Sequence, residues 1–590
     1  MDDNIKLLSG NEAIARGAFE AGVRVATAYP GTPSTEILET IIKEYKDIYA
    51  EWSINEKVAL EVAAGASLAG ARALVAMKHV GLNVASDPLF SLSYTGVKGG
   101  LVIISADDPG MHSSQNEQDN RLYAKFAKIP LLEPTDSQEC KELIKEAFKI
   151  SEEFDTPVLF RVTTRISHTS SCVKLDTPQE SQVKGYEKQF TKYNLLPVNA
   201  RKRHIFVEER LKKLQRLSEN FKYNTIEKGE GKIGYITSGV SYQYVKEIFP
   251  EAPVLKCCMT YPLPISLITQ FVNMYEKVYV VEELEPFIEE EIKKWGLKVY
   301  GKEIIPVCFE LNPDVVDEKL AGKERRVISL NLNDTPLPVR PPVLCPGCPH
   351  RGFFYIANKM KLYITGDIGC YTLGALPPLN AMDTCICMGA SIGNAHGIEK
   401  AGDIKTQKKL VAVIGDSTFL HSGITGLINS AYNKSDIKVA ILYNYTTAMT
   451  GHQPHPASKI GTENEFIDIK TLCYACGIKK VIEVDAFNLE AIEQGLKDII
   501  NFSGPAVIIV KGPCIFIDKN IVQEPLEVQD EECVGCKVCL HLGCPAISAV
   551  DFSKNGKVVI NEQLCVGCKL CQQVCPVNAI VGNEEYNKER

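Results

Sequence analysis

The sequence predicts an α/β protein with several doubly wound parallel-sheet domains and a small, cysteine-dense domain at its C-terminal end. Three observations predict it. Short apolar runs that stop abruptly at Gly, Asp, Pro or Asn alternate with helix-like segments along most of the 590 residues, the pattern of strands and crossover helices. A Pro-rich break, Thr335-Pro-Leu-Pro-Val-Arg-Pro-Pro342, parts two such stretches. Eight of the 21 cysteines fall in the last sixty residues as Cys-x-x-Cys runs. Little apolar material is left there for a core, so that segment needs bound clusters to fold.

Composition narrows the function classes. The length leaves room for roughly three to five domains. A net charge of −8 without a basic cluster argues against nucleic acid as the main partner. The start, Met1-Asp-Asp-Asn-Ile-Lys6, has no basic or apolar leader, and no apolar run reaches the ~18 residues of a membrane span. Cysteines so spaced, with nothing suggesting secretion, read as metal or cluster ligands in a reducing, cytoplasmic compartment.

The first domain, 1–175, opens with a strand over 23–28. Tyr29-Pro-Gly-Thr-Pro-Ser-Thr-Glu36 then makes a turn into a helix that Thr32 or Ser34 is placed to cap. An Ala/Gly-rich helix follows from Asn55 to Ala71, with Glu56 in its first turn, where an acidic residue complements the helix dipole. Strands are expected over 73–77 and 101–105. The second runs into the polar loop 107–121, which reads equally as a substrate-side segment or a solvated turn.

A linker spans 176–230 and carries an exposed amphipathic helix whose basic run is a solvated face. A further α/β domain, 231–335, has strands over 232–237 and 277–281. In its acidic run, Glu282-Glu-Leu-Glu-Pro-Phe-Ile-Glu-Glu-Glu291, most glutamates are expected to face solvent. The next domain, 336–520, holds Cys345-Pro-Gly-Cys348-Pro-His350, Gly366-Asp-Ile-Gly-Cys370 and Val411-Ala-Val-Ile-Gly-Asp-Ser417.

That last stretch organises the chain. Its apolar run ends at Gly415-Asp416-Ser417, and a second run, 439–442, ends at Asn444. Two parallel strands joined by a helical crossover put Asp416 and Asn444 at one carboxyl sheet edge, where open α/β sheets bind ligands. Their oxygens, with a carbonyl near Thr446, are hard ligands of the kind Mg²⁺ takes when substrate phosphates complete its octahedron. The pair resembles the diphosphate-binding motif of thiamine diphosphate enzymes; the plainer reading is a strand-end turn and a cap.

The tail, 525–590, is an internal repeat: Cys533-x-x-Cys536-x-x-Cys539 with Cys544-Pro545, then Cys565-x-x-Cys568-x-x-Cys571 with Cys575-Pro576. It matches the two-cluster bacterial ferredoxin pattern, in which the fourth cysteine of each run ligates the other cluster. Cys533, Cys536, Cys539 and Cys575 are thus assigned to one 4Fe–4S cluster, and Cys565, Cys568, Cys571 and Cys544 to the second. The first run departs from the pattern by one extra residue before Cys544. Two zinc sites are the rival reading.

Taken together these motifs resemble the 2-oxoacid:ferredoxin oxidoreductases, and within them the large, or alpha, subunits of the indolepyruvate branch. The resemblance runs over nearly the whole chain. It rests on Tyr29-Pro-Gly-Thr-Pro33, on the Cys345–His350 and Gly366–Cys370 motifs, and on Thr446-Thr-Ala-Met-Thr-Gly-His-Gln-Pro-His455. It implies that 1–175 is a pyrimidine-binding domain of the thiamine type, 231–335 a transketolase-C-terminal-like domain, and 336–520 the diphosphate-binding domain.

The resemblance also implies roles. Glu56 stands where the family's glutamate bonds the aminopyrimidine ring, and Thr32 where a threonine lies near the reacting carbonyl. Gly415, Asp416, Ser417, Asn444 and Thr446 hold thiamine diphosphate and Mg²⁺. Cys345, Cys348, Cys370 and Cys514 stand where some relatives ligate a third, proximal 4Fe–4S cluster; the competing idea is that Cys345 and Cys348 only shape a loop. The implied reaction is oxidative decarboxylation of an aryl 2-oxo acid. Coenzyme A takes the acyl group and the electrons reach an external ferredoxin, with a smaller beta subunit as partner. Pyruvate or 2-oxoglutarate as substrate, or a non-catalytic electron carrier, are the alternatives. Cys257, Cys258, Cys385, Cys473 and Cys476 read as small buried hydrophobes, and His350, His452 and His455 as acid/base groups or parts of a bonded loop.

Overall fold

Apolar runs bounded by Gly, Asp and Pro form the strands, and the segments between them form the helices that cover the sheets. The computed structural model describes residues 4–179, 183–322, 341–402, 409–458, 465–551, 553 and 556–582. They fall into two compact units, Met1–Asn331 and Leu332–Arg590. Most of the Pro-rich break, 335–340, lies outside the described residues.

The first unit is built on a seven-stranded sheet in the order Met259–Tyr261, Leu131–Leu132, Val158–Thr163, Leu101–Asp107, Ala73–Lys78, Val25–Ala28, Tyr49–Trp52. All pairs are parallel except the first, which is antiparallel. Leu101–Asp107 and Val158–Thr163 are buried along their whole length, as central strands covered on both faces must be. From Val25–Ala28 the chain goes to Tyr49–Trp52 on one side and returns at Ala73–Lys78 on the other. The strand order therefore reverses between these neighbours, and their carboxyl ends border the crevice at the switch point. A second sheet has Lys277–Val281, Ile233–Thr237 and Val254–Lys256 in parallel, with Thr225–Glu227 antiparallel at its edge.

Three expectations need correction in this unit. The Thr35–Glu44 helix has no side-chain cap from Ser34. Ser34 Oγ instead donates to Gly31 O at 2.8 Å, while Thr35 Oγ1 accepts from Gly31 N at 3.0 Å. The basic segment of the linker is one helix, Pro197–Glu219, and Arg210 within it is buried rather than solvated. Its guanidinium caps carbonyls of Asp155 and Ser93, both at 2.9 Å.

In the acidic run, Glu282, Glu283 and Glu289 are buried. Glu282 pairs with Arg121 at 2.6 Å and accepts the amides of Ile288 and Glu289, at the start of the Phe287–Lys294 helix, where a carboxylate suits the dipole. Glu283 accepts Leu311 N, and burial pushes its carboxyl up to about 7. The polar loop 107–121 is solvated only in part. Its tip at Met111–Ser113 is exposed, whereas Asp107, Asp108, Asp119, Asn120 and Arg121 are buried at its base. Arg161 Nε bonds Asp107 at 2.6 Å, which anchors the base in the sheet.

The second unit carries a six-stranded sheet, parallel throughout: Thr384–Cys385, Tyr363–Gly366, Leu410–Gly415, Lys438–Tyr443, Ala506–Lys511, Lys480–Asp485. Its order reverses between Tyr363–Gly366 and Leu410–Gly415, so Asp367 and Asp416 flank the crevice. The tail adds two antiparallel ribbons, Leu526–Val528 with Ile580–Gly582 and Ile547–Ala549 with Val558–Ile560. Leu526, Leu542, Ile560 and Ile580 belong to the same buried cluster as Phe353, Phe354 and Leu489. The tail shares the core of the preceding domain, which answers its shortage of apolar residues.

Candidate functional site

The Leu410–Gly415 strand is fully buried and delivers Asp416, 2% exposed, to the carboxyl edge. Asp416 Oδ1 accepts Ser417 N at 2.9 Å, and Oδ2 accepts Tyr445 N at 2.7 Å and Asn444 N at 3.1 Å. The carboxylate thereby fastens the loop after the neighbouring strand, Lys438–Tyr443. Ser417 Oγ meets Thr447 Oγ1 at 2.9 Å. A Cβ on Gly415 would lie 2.6 Å from the Tyr371 ring, so the backbone passes too close to that ring for any side chain. Gly415→Ala should lower stability by about 1–3 kcal/mol through overpacking, read in denaturant unfolding. An unchanged midpoint would mean the ring gives way freely.

Three oxygens converge beside this carboxylate. Asn444 Oδ1 lies 2.9 Å from Thr446 O and 3.1 Å from Asp416 Oδ1; turned over, the amide would donate to both. Adjacent ligands of an octahedral Mg²⁺ at 2.0–2.1 Å stand about 2.9 Å apart. The donor set and spacing therefore fit that ion. His455 Nδ1 accepts Ala457 N, while its buried Nε2 has no hydrogen-bond partner and stands 3.2 Å from Asp416 Oδ2. His350, at the head of the His350–Met360 helix, is buried, and burial pushes its imidazole down to about 4 against the pull of Asp416. It is neutral near pH 7. His452 lies 5.4 Å from the Phe516 ring.

Cys345, Cys348, Cys370 and Cys514 gather on this edge. Cys514 N donates to Asn444 O at 3.2 Å, and Cys348 N to Cys345 O at 3.1 Å. Burial raises the Cys370 thiol to about 11, with Cys514 and Cys345 adding to the shift; burial raises Cys348 to about 12, with Cys370 and Cys345 among its neighbours. Four thiols within electrostatic reach of one another fit a cluster, whose iron supplies the charge that turns such thiols into thiolates.

In the tail, one pocket is lined by Cys533, Cys536, Cys539 and Cys575, and another by Cys544, Cys565, Cys568 and Cys571. The crossed sets assigned from spacing share a cavity each, despite the extra residue before Cys544. Matching left-handed backbones at Gly535 and Gly567 (φ 68° and 66°) and at Lys537 and Lys569 (φ 59° and 62°) show the repeat in three dimensions. Amides already point at sulfur: Ala579 N donates to Cys575 Sγ at 3.2 Å and Leu526 N to Cys565 Sγ at 3.4 Å. Among the described residues no three His, Cys, Asp or Glu side chains close on one metal ion. The cluster reading rests on the crossed repeat, each set of four cysteines lining its own pocket.

In the first unit, Glu56 starts the Glu56–Leu68 helix, whose Asn55 cap accepts Val58 N. It is 5% exposed, and a Cβ on Gly81 would meet its Oε1 at 2.6 Å. Thr32 is half-buried in the loop after Val25–Ala28, and Ser113 Oγ donates to its carbonyl at 3.5 Å. Both therefore sit by the switch-point crevice.

Three residues escaped the sequence reading, Lys78 in the first unit and Asp367 and Tyr371 in the second. Lys78 ends its strand with Nζ on Ser113 O, and burial lowers its ammonium to about 8; a lysine closing an apolar run was the available signal. Asp367, within a quoted motif, holds the Gly389 and Ser391 amides at 2.8 and 3.1 Å. Tyr371 offered no signal. Cys257, Cys258, Cys473 and Cys476 are buried, but Cys385 is exposed on an edge strand too short to cover it.

Comparisons agree with these parts. A model of the thiamine pyrophosphate enzyme C-terminal TPP-binding domain matches 367–510. The pyruvate flavodoxin/ferredoxin oxidoreductase thiamine-diphosphate-binding model matches 16–214, and the 4Fe-4S dicluster domain 526–581. The chain is 42% identical over 610 residues to indolepyruvate oxidoreductase subunit IorA of Archaeoglobus fulgidus, covering 97% of each. It is 40% identical to the IorA of Thermococcus kodakarensis, over 97% of this chain and 96% of that one. The 2-oxoglutarate synthase subunit KorA of Archaeoglobus fulgidus is 25% identical over 51% of this chain.

Proposed function

We propose, from the premise that the chain belongs to the IorA family of indolepyruvate oxidoreductase subunits, a function for each part of the site. The protein is a thiamine-diphosphate-dependent, iron–sulfur oxidoreductase subunit acting on indolepyruvate. The observation that carries the chemistry is the carboxyl edge of the second unit, where the oxygens of Asp416, Asn444 and Thr446 converge beside grouped cysteines.

Thiamine diphosphate, when bound, supplies the nucleophilic carbon that lets a 2-oxo acid lose CO₂ and give up two electrons. Asp416, Asn444 and the Thr446 carbonyl hold Mg²⁺ and through it the diphosphate, with Gly415 and Ser417 forming the floor. Glu56 takes the aminopyrimidine and holds its proton, and Thr32 contacts the reacting group. Cys345, Cys348, Cys370 and Cys514 hold a proximal 4Fe–4S cluster, and the crossed cysteine sets of the tail hold the other two. Coenzyme A accepts the acyl group, an external ferredoxin the electrons, and a smaller beta subunit completes the enzyme. Among the described residues no helix is long and apolar enough to cross a membrane. We place the reaction in the cytoplasm, where cysteines stay reduced.

The test is anaerobic: iron, sulfide and thiamine content, then visible bleaching on adding indolepyruvate, coenzyme A and the partner subunit. About twelve irons per chain, four for each cluster, with bleaching by the aryl acid, is the expected result. About eight would remove the proximal cluster. Bleaching by pyruvate or 2-oxoglutarate alone would overturn the substrate. No bleaching and no thiamine would leave an electron carrier.

A further inference from the structure

Arg351 is a buried cation in the first turn of the His350–Met360 helix, 1% exposed. One terminal nitrogen donates to Leu542 O at 2.7 Å, two residues before Cys544. The other donates to Leu344 O at 2.7 Å and Cys345 O at 2.8 Å. A single guanidinium thus ties the loop of Cys345 and Cys348 to the loop of Cys544. The same side chain lines the pocket of Cys544, Cys565, Cys568 and Cys571, and its buried Nε has no hydrogen-bond partner. Among the described residues its charge meets carbonyl oxygens and no carboxylate.

A buried cation answered only by carbonyl dipoles is costly, so the anion that balances it should belong to the cavity. A 4Fe–4S core in its oxidised, doubly positive state with four thiolates carries two negative charges. Taking up one electron brings that to three. A fixed positive charge in the cavity wall stabilises the reduced form more than the oxidised one.

We propose that Arg351 is a positioning and potential-setting residue for the cluster held by Cys544, Cys565, Cys568 and Cys571. It raises that cluster's reduction potential and holds the cluster's loop against the loop of Cys345 and Cys348. This rests on the reading of the tail as a cluster domain. It sets the two tail clusters apart: Arg351 lines the pocket of this one alone and ties it to the loop of Cys345 and Cys348.

The experiment is an EPR-monitored redox titration with dithionite on the full chain, in wild type, Arg351→Met and Arg351→Lys, with iron measured in each. Arg351→Met should lower one tail potential by about 59 mV or more, a tenfold change in the one-electron equilibrium, and leave the other in place. Arg351→Lys, keeping the charge, should recover most of the shift. An unmoved potential with full iron overturns the inference, and so does an equal shift in both variants, since geometry rather than charge would then be at work. Where the variants lose iron, pulsed EPR of wild type labelled with ¹⁵N-arginine decides. A ¹⁵N coupling on one reduced cluster supports the inference, and its absence overturns it. Wild type with iron but no cluster signal overturns instead the reading of the tail, and the inference with it.

Discussion

Glu56→Gln should cut turnover by about 10²–10⁴-fold, the span of a lost acid–base contribution, while thiamine stays bound. Glutamine has nearly the same shape, so it fits the slot against Gly81, where a Cβ would touch Glu56 Oε1. What it removes is the carboxyl proposed to exchange a proton with the aminopyrimidine. The residues proposed to hold the diphosphate, Asp416 and Asn444, are untouched. The readouts are thiamine content after gel filtration and the rate of bleaching by indolepyruvate. Retained thiamine with a rate within about threefold of wild type would sink the assignment and leave Glu56 as a helix-start residue.

Cys575→Ser should remove the cluster of Cys533, Cys536 and Cys539, the run most distant from it in sequence. Both readings of the tail, local and crossed, lose about four irons in the single variant. They part in the double variant Cys536→Ser/Cys575→Ser. Crossed ligation puts both cysteines on one cluster, so the double variant loses the same four or so irons as either single change. Local ligation would cost about eight. The prediction follows from the pocket that Cys575 shares with the first run.

Much of this was legible in one dimension. Strands and helices alternate where apolar runs and turn residues said they would, and Lys277–Val281 falls where it was expected. Cysteine spacing grouped the tail's sulfurs into the two sets that line one pocket each. Asp416 and Asn444 were legible as neighbours because each follows one of two adjacent parallel strands.

What stayed hidden depends on partners far away in sequence. Half of the acidic run is buried because Arg121, some 160 residues earlier, and a helix start meet Glu282; composition reads glutamates as solvated. Arg210 looked like one more exposed cation until the carbonyls of Ser93 and Asp155 appeared beneath it. Arg351 drew no notice beside its cysteines, since nothing local says that its charge lies in a cavity wall. Local spacing by itself determined the ligand types and the order of the elements. Only the tertiary structure decided which charges are buried, because burial is set by what the rest of the chain brings alongside.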